Sequence, residues 1–204
     1  YIDENFSFIC EEYVYRVENL LLDISQCGAI ITYYHQHKSF EQMKLTPDAV
    51  RMQTSQNAGG SSTKSETLSC ELLKKCYNAK LLKTELEIVY FPEGGSMTDY
   101  VVLLFGKMIG VSVTRAMKFD ETDFTVEDAN SLLRKKLEGI NQSSKNSLIK
   151  WHKQILHIWA GKGKILFPLL SAWIDLDLNI KKNTVLMLTV AEKSKEIFNL
   201  NKFY

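Results

Sequence analysis

The segment TDYVVLLFGKMIGVSVTRAMKF, residues 98–119, constrains the fold more than any other part of the chain. YVVLLF (100–105) is apolar at every position, as a strand covered on both faces requires. Gly106 and Lys107 supply a turn, and MIGVSVTRA (108–116) returns as a second strand. A single carboxylate, Asp99, stands at the entrance to the first strand. An Asp after GGSMT also suits an ordinary turn, so its position alone does not define chemistry.

The flanking sequence extends this hairpin into a mixed sheet. Residues 63–78 form a helix with Leu68, Leu72, Leu73, Cys76 and Tyr77 on its apolar side, and Thr63 and Glu66 have capping-box spacing. LLKTELEIVYF (81–91) alternates with period two and predicts a strand, ended by the turn PEGGSM (92–97). After the hairpin, 125–140 is a capped amphipathic helix, KQILHIWA (153–160) a strand and 164–175 a helix bent or begun near Pro168. NTVLMLTV (183–190) closes the sheet and AEKSKEIF (191–198) adds a short helix. Upstream, FICEEYVYRVENLLLDIS (8–25) has helical spacing, while AIITYYHQH (29–37) is short and ambiguous. The tract KLTPDAVRMQTSQNAGGSS (44–62) reads as a loop or hinge. The expected molecule is a single α/β domain: a helical extension (1–43), a loop (44–62) and a core (62–204) whose mixed sheet has helices on both faces.

Composition narrows the function classes. The chain has 204 residues, enough for one substantial core, and 25 Lys and Arg against 24 Asp and Glu. That balance argues against a surface that grips nucleic acid all over, and leaves room for a local basic patch. No apolar run reaches the length of a membrane span, and the N-terminus lacks the basic-then-apolar pattern of a signal peptide. Cys10, Cys27, Cys70 and Cys76 form no CxxC pair. Free thiols in a reducing compartment follow, and with them an intracellular location, cytoplasmic or nuclear.

The order helix, three strands, helix, strand over residues 62–160 resembles the core of the restriction-endonuclease-like, or PD-(D/E)XK, superfamily. In that family an Asp begins the second core strand, and an acid and a lysine two residues apart follow on the third. A Glu on the preceding helix often assists. The chemistry explains the pattern: phosphodiester cleavage needs divalent cations held by carboxylates and a group that activates water. The resemblance assigns Asp99 as metal ligand and catalytic carboxylate, with Glu66 or Glu71 as the helix acid and Mg2+ or Mn2+ as the cofactor of an active enzyme. The acid-x-Lys position, however, reads Ser112-Val113-Thr114. Its loss implies a degenerate relative that binds DNA or RNA without cutting it.

Other residues are weighed beside these. Glu85 and Glu87, two apart on the expected 81–91 strand, share a face with Lys83 and are either a solvated face or substitutes for the missing acid. Arg115 at the end of the second hairpin strand can bind phosphate but is a poor base. Arg134, Lys135 and Lys136, with Lys145, Lys150 and Lys153 downstream, form a candidate phosphate-contacting patch. AGGSSTKSE lacks the spacing of a phosphate-binding loop, His35 and His37 lack further zinc ligands, and His157 between Leu156 and Ile158 reads as a hydrogen-bonded core histidine. The competing class is a structural or adaptor subunit, held by protein partners or by copies of itself through the N-terminal helix and the aromatics around Tyr33 and Tyr34.

Overall fold

The computed structural model describes residues 1–56, 62–118 and 123–198. Seven strands form one mixed sheet: β1 (Phe6–Cys10), β2 (Ala29–Gln36), β3 (Lys80–Thr84), β4 (Tyr100–Leu104), β5 (Lys107–Ala116), β6 (Lys153–Ala160) and β7 (Thr184–Val190). Their order is β1-β2-β7-β6-β5-β4-β3. The central four, β2, β7, β6 and β5, run parallel, and antiparallel pairs finish both sides. The helices are α1 (Val14–Leu22), α2 (Pro47–Thr54), α3 (Thr63–Tyr77), α4 (Val126–Asn146), α5 (Leu166–Asp175) and α6 (Leu178–Lys181).

Strand parity divides the core in two. Ile155 and Trp159 of β6, with Ile109, Val111 and Val113 of β5, join one cluster that includes Leu68, Leu72 and Leu73 of α3. Leu156, Ile158 and Ala160 point to the other face and join Leu133, Leu137 and Ile140 of α4 and Leu169, Ala172 and Trp173 of α5. β6 and β7 are consequently buried along their whole length, the condition their near-continuous apolar sequences anticipate. The α/β class and the mixed sheet flanked by helices are therefore as the sequence indicates.

Several expected boundaries move. Residues 1–43 are not a helical extension: β1 and β2 are two strands of the sheet, and only α1 is a regular α-helix there. Phe6 and Phe8 are buried while Ile9 is exposed, so FSFIC alternates as a strand although Ile9 also fits the helical period that follows. The 44–62 tract contains α2, begun by Pro47, where a fixed φ suits the first helical turn. The glycine-rich residues 57–61 lie outside the described residues. Ser62, not Thr63, is the N-cap of α3, and its carbonyl accepts from the Glu66 amide.

The expected 81–91 strand stops at Thr84, where a capping box with Glu87 starts a single 3-10 turn, Glu85–Glu87. The hairpin turns on Phe105 and Gly106, both at positive φ, a two-residue geometry whose twist matches the flanking strands. α4 continues six residues past Ile140 because its polar end is anchored. Asn141 donates to the Ile180 carbonyl at 2.9 Å, Ser143 is buried, and Lys150 donates to the Ser144, Lys145 and Ser147 carbonyls. The expected terminal helix is one 3-10 turn, Lys195–Phe198. All four cysteines are free, and no helix among the described residues is long and apolar enough to cross a membrane.

Candidate functional site

The site lies where β4 and β5 part. Their pairing begins at Tyr100↔Val111, so the β5 edge beyond that point has no β4 partner. Asp99 fills the gap: its Oδ2 accepts the Val113 amide at 2.5 Å, closing the hydrogen bond that a longer β4 would have made. This fixes the carboxylate in the seam of the sheet. α3 delivers Glu66 from one face, and α4 delivers Lys135 and Lys136 from the other.

The electrostatics reflect this convergence. Burial pushes the Asp99 carboxyl well above the usual carboxylate range, and the Glu66 and Glu85 charges push the same way. The Val113 amide and Lys136 oppose them. Glu66 is also raised, first by burial and then by Glu85. A hydrogen bond with Ser62 and the charges of Arg115 and Lys136 pull it back. Burial lowers Arg115, against Glu66, and its Nη1 donates to the Ile197 carbonyl at 3.3 Å. Two acids that resist ionisation beside a half-buried lysine are the kind of perturbed cluster found at functional sites.

On the α4 side the seam opens into a pocket of about 260 Å3 lined by Ser96, Met97, Asp99, Ser112, Lys135, Lys136, Gly139 and Ile140. Ser112, 7% exposed, has no hydrogen-bond partner for its hydroxyl. Such a buried orphan costs about 1–3 kcal/mol. Two of the elements that line the pocket, the 96–98 segment and α4, are in direct contact. The Ser96 amide donates to Gln142 Oε1 at 3.0 Å, and Thr98 Oγ1 meets Ser143 Oγ at 2.9 Å. Gly139 permits the approach, since a Cβ there would stand 3.0 Å from Ser96 Oγ.

The structure brings together Asp99, Glu66, Glu85, Arg115 and Lys136, whose charges act on one another. It excludes others. Glu87 is committed to Arg51 (2.7 Å and 2.8 Å) and to the Thr84 amide, because the strand on which it would have shared a face with Glu85 does not form. Arg134 is exposed and does not line the pocket, because three consecutive helical residues fan apart by about 100° each. Lys150 caps α4, and Lys153 is fully buried, donating to the Asp23 and Gln26 carbonyls. Glu71, an alternative helix acid, accepts the Thr46 amide and hydroxyl at the start of α2.

The fit to a divalent cation is incomplete. Hydroxyl residues occupy positions 112 and 114, one Asp99 oxygen is already used, and among the described residues no group of three or more His, Cys, Asp or Glu side chains could hold a metal ion. The pocket was not legible in the sequence. Ser112 read there only as a lost ligand, and the approach of Lys136 to Asp99 crosses more than thirty residues of chain.

No family model matches the chain. A Dictyostelium discoideum protein, the AAC-rich mRNA clone AAC4 protein, is 34% identical over 181 residues, 84% of this chain and 26% of that protein. The chain thus spans about a quarter of the length of this relative. The solved structure of Pyrococcus furiosus SfsA in complex with Ca2+ aligns over 66% of this chain and 58% of its own, with 14% identity. Its TM-score of 0.29 is too low for the likeness to bear on function.

Proposed function

We propose that the protein is a nucleic-acid-associated member of the restriction-endonuclease-like group that binds phosphodiester chains without cutting them. The observation that carries this reading is the pocket in which Asp99 and Ser112 face Lys135 and Lys136. In this reading Asp99 is the one carboxylate retained from the nuclease pattern, Ser112 and Thr114 stand in place of its acid and lysine, and α4 supplies positive charge. Basic groups beside a perturbed acid suit phosphate contact, and the short carboxylate set does not suit a Mg2+ or Mn2+ centre.

Binding of labelled DNA or RNA tests this directly. The affinity should fall steeply with salt, and Lys135→Ala with Lys136→Ala should reduce the slope of log K against log salt by about 2, roughly one per lost phosphate contact. Absence of binding to both DNA and RNA at low salt removes the reading. Cleavage that depends on Mg2+ or Mn2+ and disappears in Asp99→Ala would make the protein an active nuclease instead.

The adaptor reading has one observation in its favour. Ile9 and Tyr33 face each other across β1 and β2, and both are exposed, Ile9 by 64%. An apolar cross-strand pair at the sheet margin suits protein contact, and its replacement by Ile9→Lys would weaken such an assembly and leave nucleic-acid binding unchanged.

A further inference from the structure

The walls of the Asp99 pocket differ from those of a groove made for a continuous backbone. Such a groove needs walls that stay apart along its length, and here the 96–98 segment and α4, which both line the pocket, are tied together by the Ser96–Gln142 and Thr98–Ser143 hydrogen bonds. The pocket wall includes Lys135, which is exposed, and Lys136, which is half-buried. At about 260 Å3 the pocket lies below the roughly 300–1,000 Å3 of sites that engulf a drug-sized ligand, and it has ample room for a phosphate group.

Charge selects among phosphates. Of the residues lining the pocket, only Lys135, Lys136 and Asp99 are charged types. Burial holds the Asp99 carboxyl toward its neutral form, in which it donates a hydrogen bond. Glu66 and Arg115 are on elements that meet the seam from the α3 side, and Glu85 follows β3. The pocket wall itself therefore carries two lysines against one acid whose charged form burial disfavours. A phosphodiester carries one negative charge, and a phosphate monoester about −1.5 to −2 at pH 7. The orphan Ser112 hydroxyl supplies a donor for a further oxygen.

We propose that this pocket captures the terminal phosphate monoester of a nucleic-acid chain, with Ser112, Lys135 and Lys136 as its contacts. This deepens, and rests on, the nucleic-acid reading above. It assigns the site to chain ends rather than to internal positions.

The test compares one oligonucleotide in three forms: 5′-phosphorylated, 3′-phosphorylated, and with hydroxyl at both ends. A phosphorylated form should bind about tenfold tighter than the hydroxyl form, the minimum for one well-placed charge-assisted contact set. Which end is preferred identifies the polarity. Inorganic phosphate should compete with the phosphorylated form and lower its advantage. Ser112→Ala and Lys136→Gln should each reduce the ratio of affinities. Both variants are checked for folding by circular dichroism, and removal of an unpartnered hydroxyl is expected to leave the fold intact. Equal affinity for all three forms overturns the terminal-phosphate site and leaves the broader reading standing. Failure of every form to bind at low salt overturns both.

Discussion

His157→Leu is expected to lower stability by about 3 kcal/mol, seen in urea unfolding as a lower midpoint with an unchanged slope. The effect follows from a polar chain that crosses the buried sheet. His157 Nδ1 meets Ser69 Oγ at 2.6 Å, and Ser69 Oγ meets the Tyr100 hydroxyl at 2.6 Å. On the other side His157 Nε2 meets Thr189 Oγ1 at 2.7 Å, and Thr189 meets Thr32 Oγ1 at 2.7 Å. His157, Ser69, Tyr100, Thr189 and Thr32 are all fully buried. Leucine removes both links at the centre and leaves a hydroxyl on each side with unmet capacity in a medium that penalises it.

Burial also pushes the His157 imidazole down to about 3. The unfolded chain binds a proton near the ordinary histidine value and the native state does not. Its contribution is therefore complete above about 6.5 and is lost as pH falls toward 3. The leucine variant should lack this acid-side slope. If its midpoint follows pH between 6 and 4 as the native protein's does, histidine protonation is not the source of that slope.

Asp99→Asn acts at the opposite end of the pH scale. The Asp99 carboxyl is raised by burial and by Glu66, and the Glu66 carboxyl by burial and by Glu85, so the native state holds protons that the unfolded chain has released. Stability associated with them is greatest below the unfolded carboxylate value of about 4 and declines as pH rises through the raised native values. Each unit of elevation corresponds to about 1.4 kcal/mol. Asparagine keeps an oxygen for the Val113 amide and cannot ionise, so the variant should be more stable than the native protein at pH 8 and nearly equal to it at pH 4. A variant that is less stable at pH 8 would show that the Asp99 charge is compensated within the fold.

The parts of the fold readable from sequence are those where one period dominates. β6 and β7 are continuous apolar runs, the apolar stripe of α4 repeats through Leu133, Leu137 and Ile140, and β4 is apolar throughout. His157 was also legible, since an imidazole inside a buried strand requires partners. The misread parts are those where local signals compete. At the N-terminus the alternation of FSFIC runs into a helical period. At 85–87 the alternating ELE is taken by a capping box with Thr84. Asn141–Asn146 has loop composition, and long-range hydrogen bonds hold it helical.

The site divides along the same line. Asp99 and Glu66 follow from element order. The placement of Lys136 beside them is a property of how α4 packs on the sheet, which single-sequence periodicity does not encode. Ser112 becomes informative only when its surroundings are known.

The strand order has a consequence for biosynthesis. β2 pairs only with β1 and β7, and β7 is the last strand of the described chain. During translation the β1–α1–β2 unit therefore leaves the ribosome without a sheet to join, and more than a hundred residues must follow before its partner emerges. At about 5–20 residues per second the interval is several seconds or more. Throughout it the inward face of β2, with Ile30, Thr32 and Tyr34, awaits its neighbour. Nascent chains halted before residue 184 should accordingly recruit holding chaperones through this unit, while chains extended beyond 190 release them.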